Sequence, residues 1–505
     1  MREGLKILFG IFSLSLVAFS FELEKIEKFI PNKSIINQEI NLNKLRKEDS
    51  KKLKEKIESL KNGDILEIED GNYPDLRDIV IKENNIKIKA KNSGKVVFSG
   101  LVQINITGNN NLLEGIVFTD GGPMTGEGAI IVKGNNNQIT NNTFYEFNIH
   151  EYRPNEKGEY NSTRWITVAG KENTINNNRF EGKYRRGTLL VINNSTELDN
   201  HILINNIFKN HKANMLGEFE NKDIIRINSN SWEAIRVGDS KTSLNPSGTI
   251  LAYNLFDNMD GETELVTVKA CETLFKGNTI KNSTAMFSLR HGNGSIVEDN
   301  VFLGNDKPLT GGIRFYGEDH VIKNNYIENV TGDNDVQGGI VVNTGVNNVA
   351  ENEKLDNSVI GKELNKQWTP KNVLIENNTI INSQKNFSYS NKVHKVSLFD
   401  NSKVKVIYPA VNITLKNNLS YAVGENKKAL VGAGDDKNPV GTKYINNIFY
   451  GPIENTNIPN DNIAKVEPKL EKHNGIYELQ NENIGAKDLK ILDENMVGPN
   501  YNIKK

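Results

Sequence analysis

One phrase constrains the fold of this chain more than any other. It reads polar, apolar, any two residues, Asn-Asn, any residue, apolar, and it recurs along most of the length. Copies include Gln138-Ile139-Thr140-Asn141-Asn142-Thr143-Phe144, Thr174-Ile175-Asn176-Asn177-Asn178-Arg179-Phe180 and His320-Val321-Ile322-Lys323-Asn324-Asn325-Tyr326-Ile327. The second Asn position falls at 142, 178, 206, 254, 278, 300, 325, 378, 418 and 447. The tightest steps are 22, 24, 25, 28 and 29 residues, while those of 48 and 53 are either two coils or one coil with an insertion. Short strands and turns at a period of about 20–30 residues mark a solenoid. Leucine-rich repeats share that period, but their dense Leu framework is missing. The pattern predicts an all-β chain, a right-handed parallel β-helix with about three strands per coil and equivalent positions stacked about 4.8 Å apart. Such a fold has a use for Asn. At bends Asn tolerates a left-handed backbone, and stacked amides hydrogen-bond along the ladder. The chain has 77 Asn among 505 residues. That length would ordinarily suggest about three domains; a solenoid makes it one elongated domain.

The ends read differently. Leu45, Leu53, Ile57 and Leu60 lie at helical spacing, which predicts a helix over 43–61 that ends at Gly63 and caps the open N-terminal coil. Arg2 and Lys6 precede the apolar run Ile7 to Val17 and the small residues of Ala18-Phe19-Ser20, the pattern of a cleaved signal peptide. The run is shorter than the roughly 20 residues of a membrane span. The expected organisation is a signal peptide over 1–20, an N-terminal segment over 21–62, the β-helix over 63–455 and a C-terminal cap or tail over 456–505. The expected location is periplasmic or extracellular, with no membrane association after cleavage. Lys+Arg total 62 and Asp+Glu 63, a net charge of -1, without the basic excess of a nucleic-acid binder. Cys271 is the single cysteine, so no intramolecular disulfide is possible. A lone cysteine is more often a small buried hydrophobe than a nucleophile.

Ionisable residues concentrate in three stretches, Asn230 to Gly238, Asp260 to Lys269 and Ser288 to Asn293. Glu262 and Glu264 share a face of a strand, about 6.5–7 Å apart. They are either a solvated acidic pair or, because like carboxylates repel, ligands of a cation between them, with oxygen donors favouring Ca2+. Lys269 lies nine residues before Asn278 and Arg290 ten before Asn300, so they are expected side by side on adjacent coils. Two stacked cations depress the lysine pKa and make a neutral amine available as a base; alternatively they neutralise Glu262 and Glu264. A regular strand would point His291 to the opposite face from Arg290. Arg314, one coil further along, extends a cationic row suited to a polyanion.

The stretch from Asn230 to Asn305 closely resembles polysaccharide lyase family 6, which holds alginate lyases and chondroitinase B. The likeness rests on Trp232-Glu233-Ala234-Ile235-Arg236-Val237-Gly238-Asp239-Ser240, Asp260-Gly261-Glu262-x-Glu264, Leu289-Arg290-His291-Gly292-Asn293, Phe302-Leu303-Gly304-Asn305 and Gly311-Gly312-Ile313-Arg314, in order. It extends more weakly from about residue 60 to 450. The resemblance implies a parallel β-helix with calcium ligands at Asn230, Glu262 and Glu264. It also implies a Brønsted base at Lys269, a Brønsted acid at Arg290 and substrate contacts at His291 and Arg314. The chain departs at Ser231, where Gly is common, and over Val266-Thr267-Val268, where the family usually has Ile-Ile-Ser-Asn/Thr. The implied reaction is calcium-assisted β-elimination on a uronate polymer, giving 4,5-unsaturated products. Phe180-Glu181-Gly182-Lys183 and Gly187 to Val191 look more like alginate-cleaving members, and residues 333–336 hold no basic cluster for a sulfate. The alternatives are a dermatan sulfate lyase of the chondroitinase B type, a β-helix glycoside hydrolase using Asp435 and Asp436, and a non-catalytic glycan-binding solenoid.

Overall fold

The computed structural model describes residues 24–31, 38–148, 162–212, 231–332, 334–346, 367–397, 403–434, 437–480 and 483–505. The signal-peptide segment, Asn230 and the Asp435-Asp436 pair lie outside them. Three parallel sheets of thirteen strands each build the body. Each coil contributes one strand to each sheet, which is the parallel β-helix that the repeat predicts.

Register settles the two long steps. Ile202–Ile204 pairs directly with Ile250–Ala252, and Val321–Lys323 pairs with Leu374–Glu376. Each is a single coil with an insertion. The 40-residue step from Asn378 to Asn418 is also one coil. It carries an antiparallel hairpin of His394–Ser397 and Lys403–Val406.

The Asn-Asn pair divides into two physical roles. The first position is left-handed throughout, with φ of 56° at Asn141, 55° at Asn177 and 54° at Asn324. Where Asn is absent, Gly277, Asp299 and Tyr253 take the same conformation. Asn and Asp adopt it at low cost because their short polar side chains bond locally. The second position is buried. Asn278 donates from its amide nitrogen to the carbonyls of Leu251 (2.9 Å) and Lys276 (3.2 Å) and to Asn300 Oδ1 (3.0 Å). Its own Oδ1 accepts from Asn254 N at 2.9 Å and Asn254 Nδ2 at 3.0 Å. The bend thus leaves few backbone groups orphaned inside the solenoid. The ladder runs from Asn142 to Asn447 and closes on Asn462 Oδ1, which accepts from Asn447 N at 2.8 Å. The apolar residue that ends each phrase turns inward. Phe144, Phe180, Phe208 and Phe256 stack ring on ring, with centroids 4.8–5.3 Å apart.

The N-terminal helix is shorter than its spacing suggests. It spans Ser50–Glu58, preceded by one 3-10 turn at Leu42–Lys44. Residues between them pair with the first coil instead: Glu48 N donates to Asn72 O (2.8 Å) and Asn72 N to Arg46 O (2.7 Å). Satisfying that open edge outweighs continuing the helix. Asp49 starts the helix by accepting from Lys52 N at 3.1 Å. Leu53 and Ile57 then bury against Ile68, Leu76 and Ile79.

After a hairpin of Leu470–His473 and Ile476–Leu479, the chain runs back along one flank. Lys487 N donates to Asn324 Oδ1, Leu492 N to Thr279 Oγ1 and Gly498 N to Asn205 O. Tyr501–Lys504 ends the run by pairing with Gln38–Asn41. Among the described residues no helix is long and apolar enough to cross a membrane.

Candidate active site

Four neighbouring strands of one sheet carry the ionisable stretches: Ile235–Gly238, Glu264–Lys269, Met286–His291 and Ile313–Phe315. Ile235, Val237, Val266, Val268, Phe287, Leu289, Ile313 and Phe315 fill the core. Strand alternation therefore turns the residues between them outward. Register aligns Arg236, Thr267, Ser288 and Arg314 in one outward row. Two small hydroxyls form a floor between two arginines about 14 Å apart, three strand spacings.

Carboxylates gather at the start of these strands. Glu233, Glu262 and Glu264 each place an oxygen within 4.8 Å of the other two. Glu233 and Glu262 are buried, and Glu264 is half-buried. Burial, together with Glu233 alongside, pushes the Glu262 carboxyl well above the usual carboxylate range. Thr188 Oγ1 donates to Glu233 Oε2 at 2.6 Å and orients it. Gly261 makes the arrangement possible by close approach, since a Cβ there would lie 2.2 Å from the Trp232 carbonyl. Three hard oxygen donors, mutually repelling and partly desolvated, fit a cation such as calcium. Ser231 occupies the position where the resembled family commonly has Gly, and its φ is 69°. That conformation explains the glycine preference and is one Ser adopts at a cost of about 1–2 kcal/mol.

Cations lie at the other end of the strands. Lys269 does not stand level with Arg290. A bulge between Val268 and Lys269 pairs Lys269 with His291 and leaves Arg290 as the extra residue. The same bulge removes the expectation that His291 faces away as in a regular strand. His291 is 3% exposed, with Nε2 3.4 Å from Ser240 Oγ. Burial lowers the Lys269 amine pKa, and Arg236 and Arg290 act in the same direction against Glu233. Among the described residues Lys269 forms no ion pair. Arg290 does, with Nη1 3.1 Å from Glu264 Oε1. Ion pairing was thus right for Arg290 and not for Lys269. Arg314 is not an outer cation in a surface row. It is 3% exposed, pairs with Glu264 and donates from Nε to Ser288 Oγ at 2.9 Å. Register sets it level with Ser288 and not with Arg290. Cys271 is half-buried, and burial raises its thiol pKa to about 11, far from a nucleophile's range.

Two residues at this site escape a reading by pattern. Glu233 lies in the Trp232 to Ser240 segment, but strand alternation puts it in phase with inward-facing Ile235. Arg236 lies in the same segment, and its Nε is buried without a hydrogen-bond partner among the described residues. Its outward position was legible; its proximity to Lys269 depends on register.

The fold is a parallel β-helix, and one of its sheets carries clustered carboxylates, a desolvated lysine and arginines together. The Chondroitinase B family model matches residues 47–484. A solved PL6 alginate lyase in complex with a trisaccharide is 40% identical, with TM-score 0.85 over 94% of this chain and 97% of that one. The alginate lyase AlyF-OU02 in complex with G6 is similar to the same extent, with 40% identity, TM-score 0.85 and the same coverage of 94% and 97%. The PL6 family alginate lyase AlyGC is 25% identical, with TM-score 0.72 over 91% of this chain and 58% of that longer one. No curated protein matches the chain. The chain belongs to polysaccharide lyase family 6 and is a polysaccharide lyase.

Proposed function

We propose that this protein is an exported, calcium-assisted lyase that cleaves alginate by β-elimination. The observation that carries the reading is Lys269: a desolvated amine with a lowered pKa and, among the described residues, no ion pair, on the same strand as one of three clustered carboxylates. Glu233, Glu262 and Glu264 would hold the ion, with Asn230 as a further ligand implied by the family resemblance. Bound calcium supplies charge stabilisation to the uronate carboxylate.

The chain's own groups perform the rest. Neutral Lys269 takes the proton at C5. The C5–H electron pair becomes the C4–C5 double bond as the C4–O bond breaks. The departing oxygen leaves with that bond's electrons, stabilised by the positive charge of Arg290, because a guanidinium holds its protons too tightly to serve as a ready proton donor. Arg314 orients Glu264, and His291 lies level with Lys269 where a sugar ring would contact it.

The alginate lyases at 40% identity support alginate, and the family model's name keeps dermatan sulfate as the second reading. Ultraviolet-absorbing product is expected from poly-mannuronate, poly-guluronate or both, and not from dermatan sulfate. Release from dermatan sulfate alone would reverse the assignment. A glycoside hydrolase would make no absorbing double bond, and a binding solenoid would make no product. Export rests on the N-terminal pattern, and recovery of the protein solely from the cytosol would refute it.

Chelation is expected to lower activity ~10^3-fold, the scale of several kcal/mol of charge stabilisation. Added calcium should restore it. Full activity in excess chelator would refute the metal role. A second expectation concerns pH. Lys269 must be neutral, so kcat/KM should rise with pH through its pKa, which lies below the 10.5 of an ordinary lysine. Arg236 helps to depress that pKa, so Arg236→Met should move the rising limb toward higher pH. A limb that stays in place would exclude this coupling.

A further inference from the structure

The cationic groups around the reaction site do not end at Arg314. Two coils further along the same sheet, about 10 Å along the axis, the strand Lys385–Tyr389 pairs with Ile340–Val342. It continues through Ser390 into Lys392, at the root of the hairpin inserted in this coil. The backbone here is pinned. Ser390 N donates to Val342 O at 2.9 Å, and Lys392 N donates to Ser390 Oγ at 3.1 Å. Thr344 Oγ1 donates to the Lys392 carbonyl at 2.7 Å, and His394 Nε2 bonds the Thr344 carbonyl at 3.0 Å. The lysine is therefore held in place by neighbours on two coils.

Its charge environment is unusual for a lysine. Burial comes first, followed by Arg314 and Arg290, and together they lower its pKa to about 8. The amine keeps its proton at neutral pH. Among the described residues Lys392 forms no ion pair. The acid nearest to Arg290 and Arg314 is Glu264, which already pairs with both. Asp335, the acid that acts on Lys392, is exposed. Burial first, then the positive charge of Lys392, lowers the His394 pKa to about 4, so the imidazole stays neutral. Lys392 thus adds a partly buried cation beside Arg314 and Arg290, one with no ion pair among the described residues, and such a charge is costly unless an anion joins it.

We infer that Lys392 forms a carboxylate-binding subsite for the polyuronate, on the C-terminal-coil side of Arg290. The inference rests on the lyase reading for the identity of the polymer. A lysine suits the task because its ammonium is a point charge on a flexible stem that follows a sugar carboxylate in several orientations. It is a positioning residue and takes no part in proton transfer. The sequence conceals it, because Lys392 lies beyond the motifs, in a coil lengthened by a hairpin, and only the fold returns it to the site.

Initial rates on alginate test the subsite. Lys392→Met is expected to raise KM about tenfold, the effect of one charge-assisted contact, with kcat within about twofold of wild type. Lys392→Arg should recover most of the affinity, and neither variant should change the unfolding temperature appreciably. An unchanged KM, or a loss confined to kcat, would overturn the inference. So would a loss seen only on dermatan sulfate, which would make the ligand a sulfate. Calorimetric titration of a saturated alginate oligosaccharide into Lys269→Ala, with and without Lys392→Met, separates this inference from the lyase reading. If the wild type makes no unsaturated product from any polymer, the lyase reading fails, and the titration alone judges Lys392. Weaker binding with Lys392→Met upholds the subsite; equal binding, or none, overturns it.

Discussion

Lys269→Ala should abolish release of unsaturated product, lowering kcat/KM by ~10^3-fold or more, within the range for loss of a general base. Lys269→Arg should be as inactive, because a guanidinium does not shed its proton in this pH range. The pair of variants separates a base from a cation that only attracts substrate. If charge were the contribution, arginine would restore activity. Neither change should cost much stability, since Lys269 forms no ion pair among the described residues and burial already disfavours its charge. A melting temperature near that of the wild type would show that the loss is chemical. Retention of a tenth or more of wild-type activity in Lys269→Ala would end the assignment.

The second large effect concerns stability and separates two asparagines of one repeat phrase. Asn278→Asp is expected to destabilise the protein by about 3–5 kcal/mol at neutral pH, from several buried polar groups losing partners at about 1–3 kcal/mol each. Asn278 is 0% exposed. Its amide donates to Leu251 O, Lys276 O and Asn300 Oδ1, all acceptors, which an aspartate would face with no proton to offer. The carboxyl's folded pKa would lie above the unfolded value of about 3.9. The deficit should therefore be smallest below about pH 4 and grow as pH rises through the folded pKa. Asn446→Asp is the control. Asn446 is the left-handed first Asn of its phrase, φ 52°, and exposed. Aspartate tolerates that conformation, so the change should stay within about 0.5 kcal/mol, as exposed substitutions do. Denaturant midpoints compare the two, and equal losses would refute the division of roles.

Much of the fold was legible because a solenoid is written locally. Each coil repeats the same demands on the same few residues, so the Asn-Asn phrase announces both its bend and its ladder. The first Asn is chosen by backbone conformation and the second by the hydrogen bonds of the coils beside it. The phrase does not say which is which. The helix over 43–61 was overdrawn for a similar reason. Its apolar spacing is helical, but residues 46–48 are claimed by the open edge of the first coil, which is a tertiary partner.

The sequence by itself determined a parallel β-helix, its approximate coil boundaries, and the strands that carry Glu264, Lys269, Arg290, His291 and Arg314, whereas Glu262 lies in the bend before the strand and not on it. These follow from periodicity and residue type, which neighbours in the chain express. Only the tertiary structure decided how those residues face one another. A one-residue bulge set Lys269 level with His291, an ion pair holds the buried Arg314 against Glu264, and register brought Glu233 and Arg236 to the same site. The physical reason is that a register shift of one residue changes every cross-coil neighbour while leaving the repeat in the sequence nearly untouched.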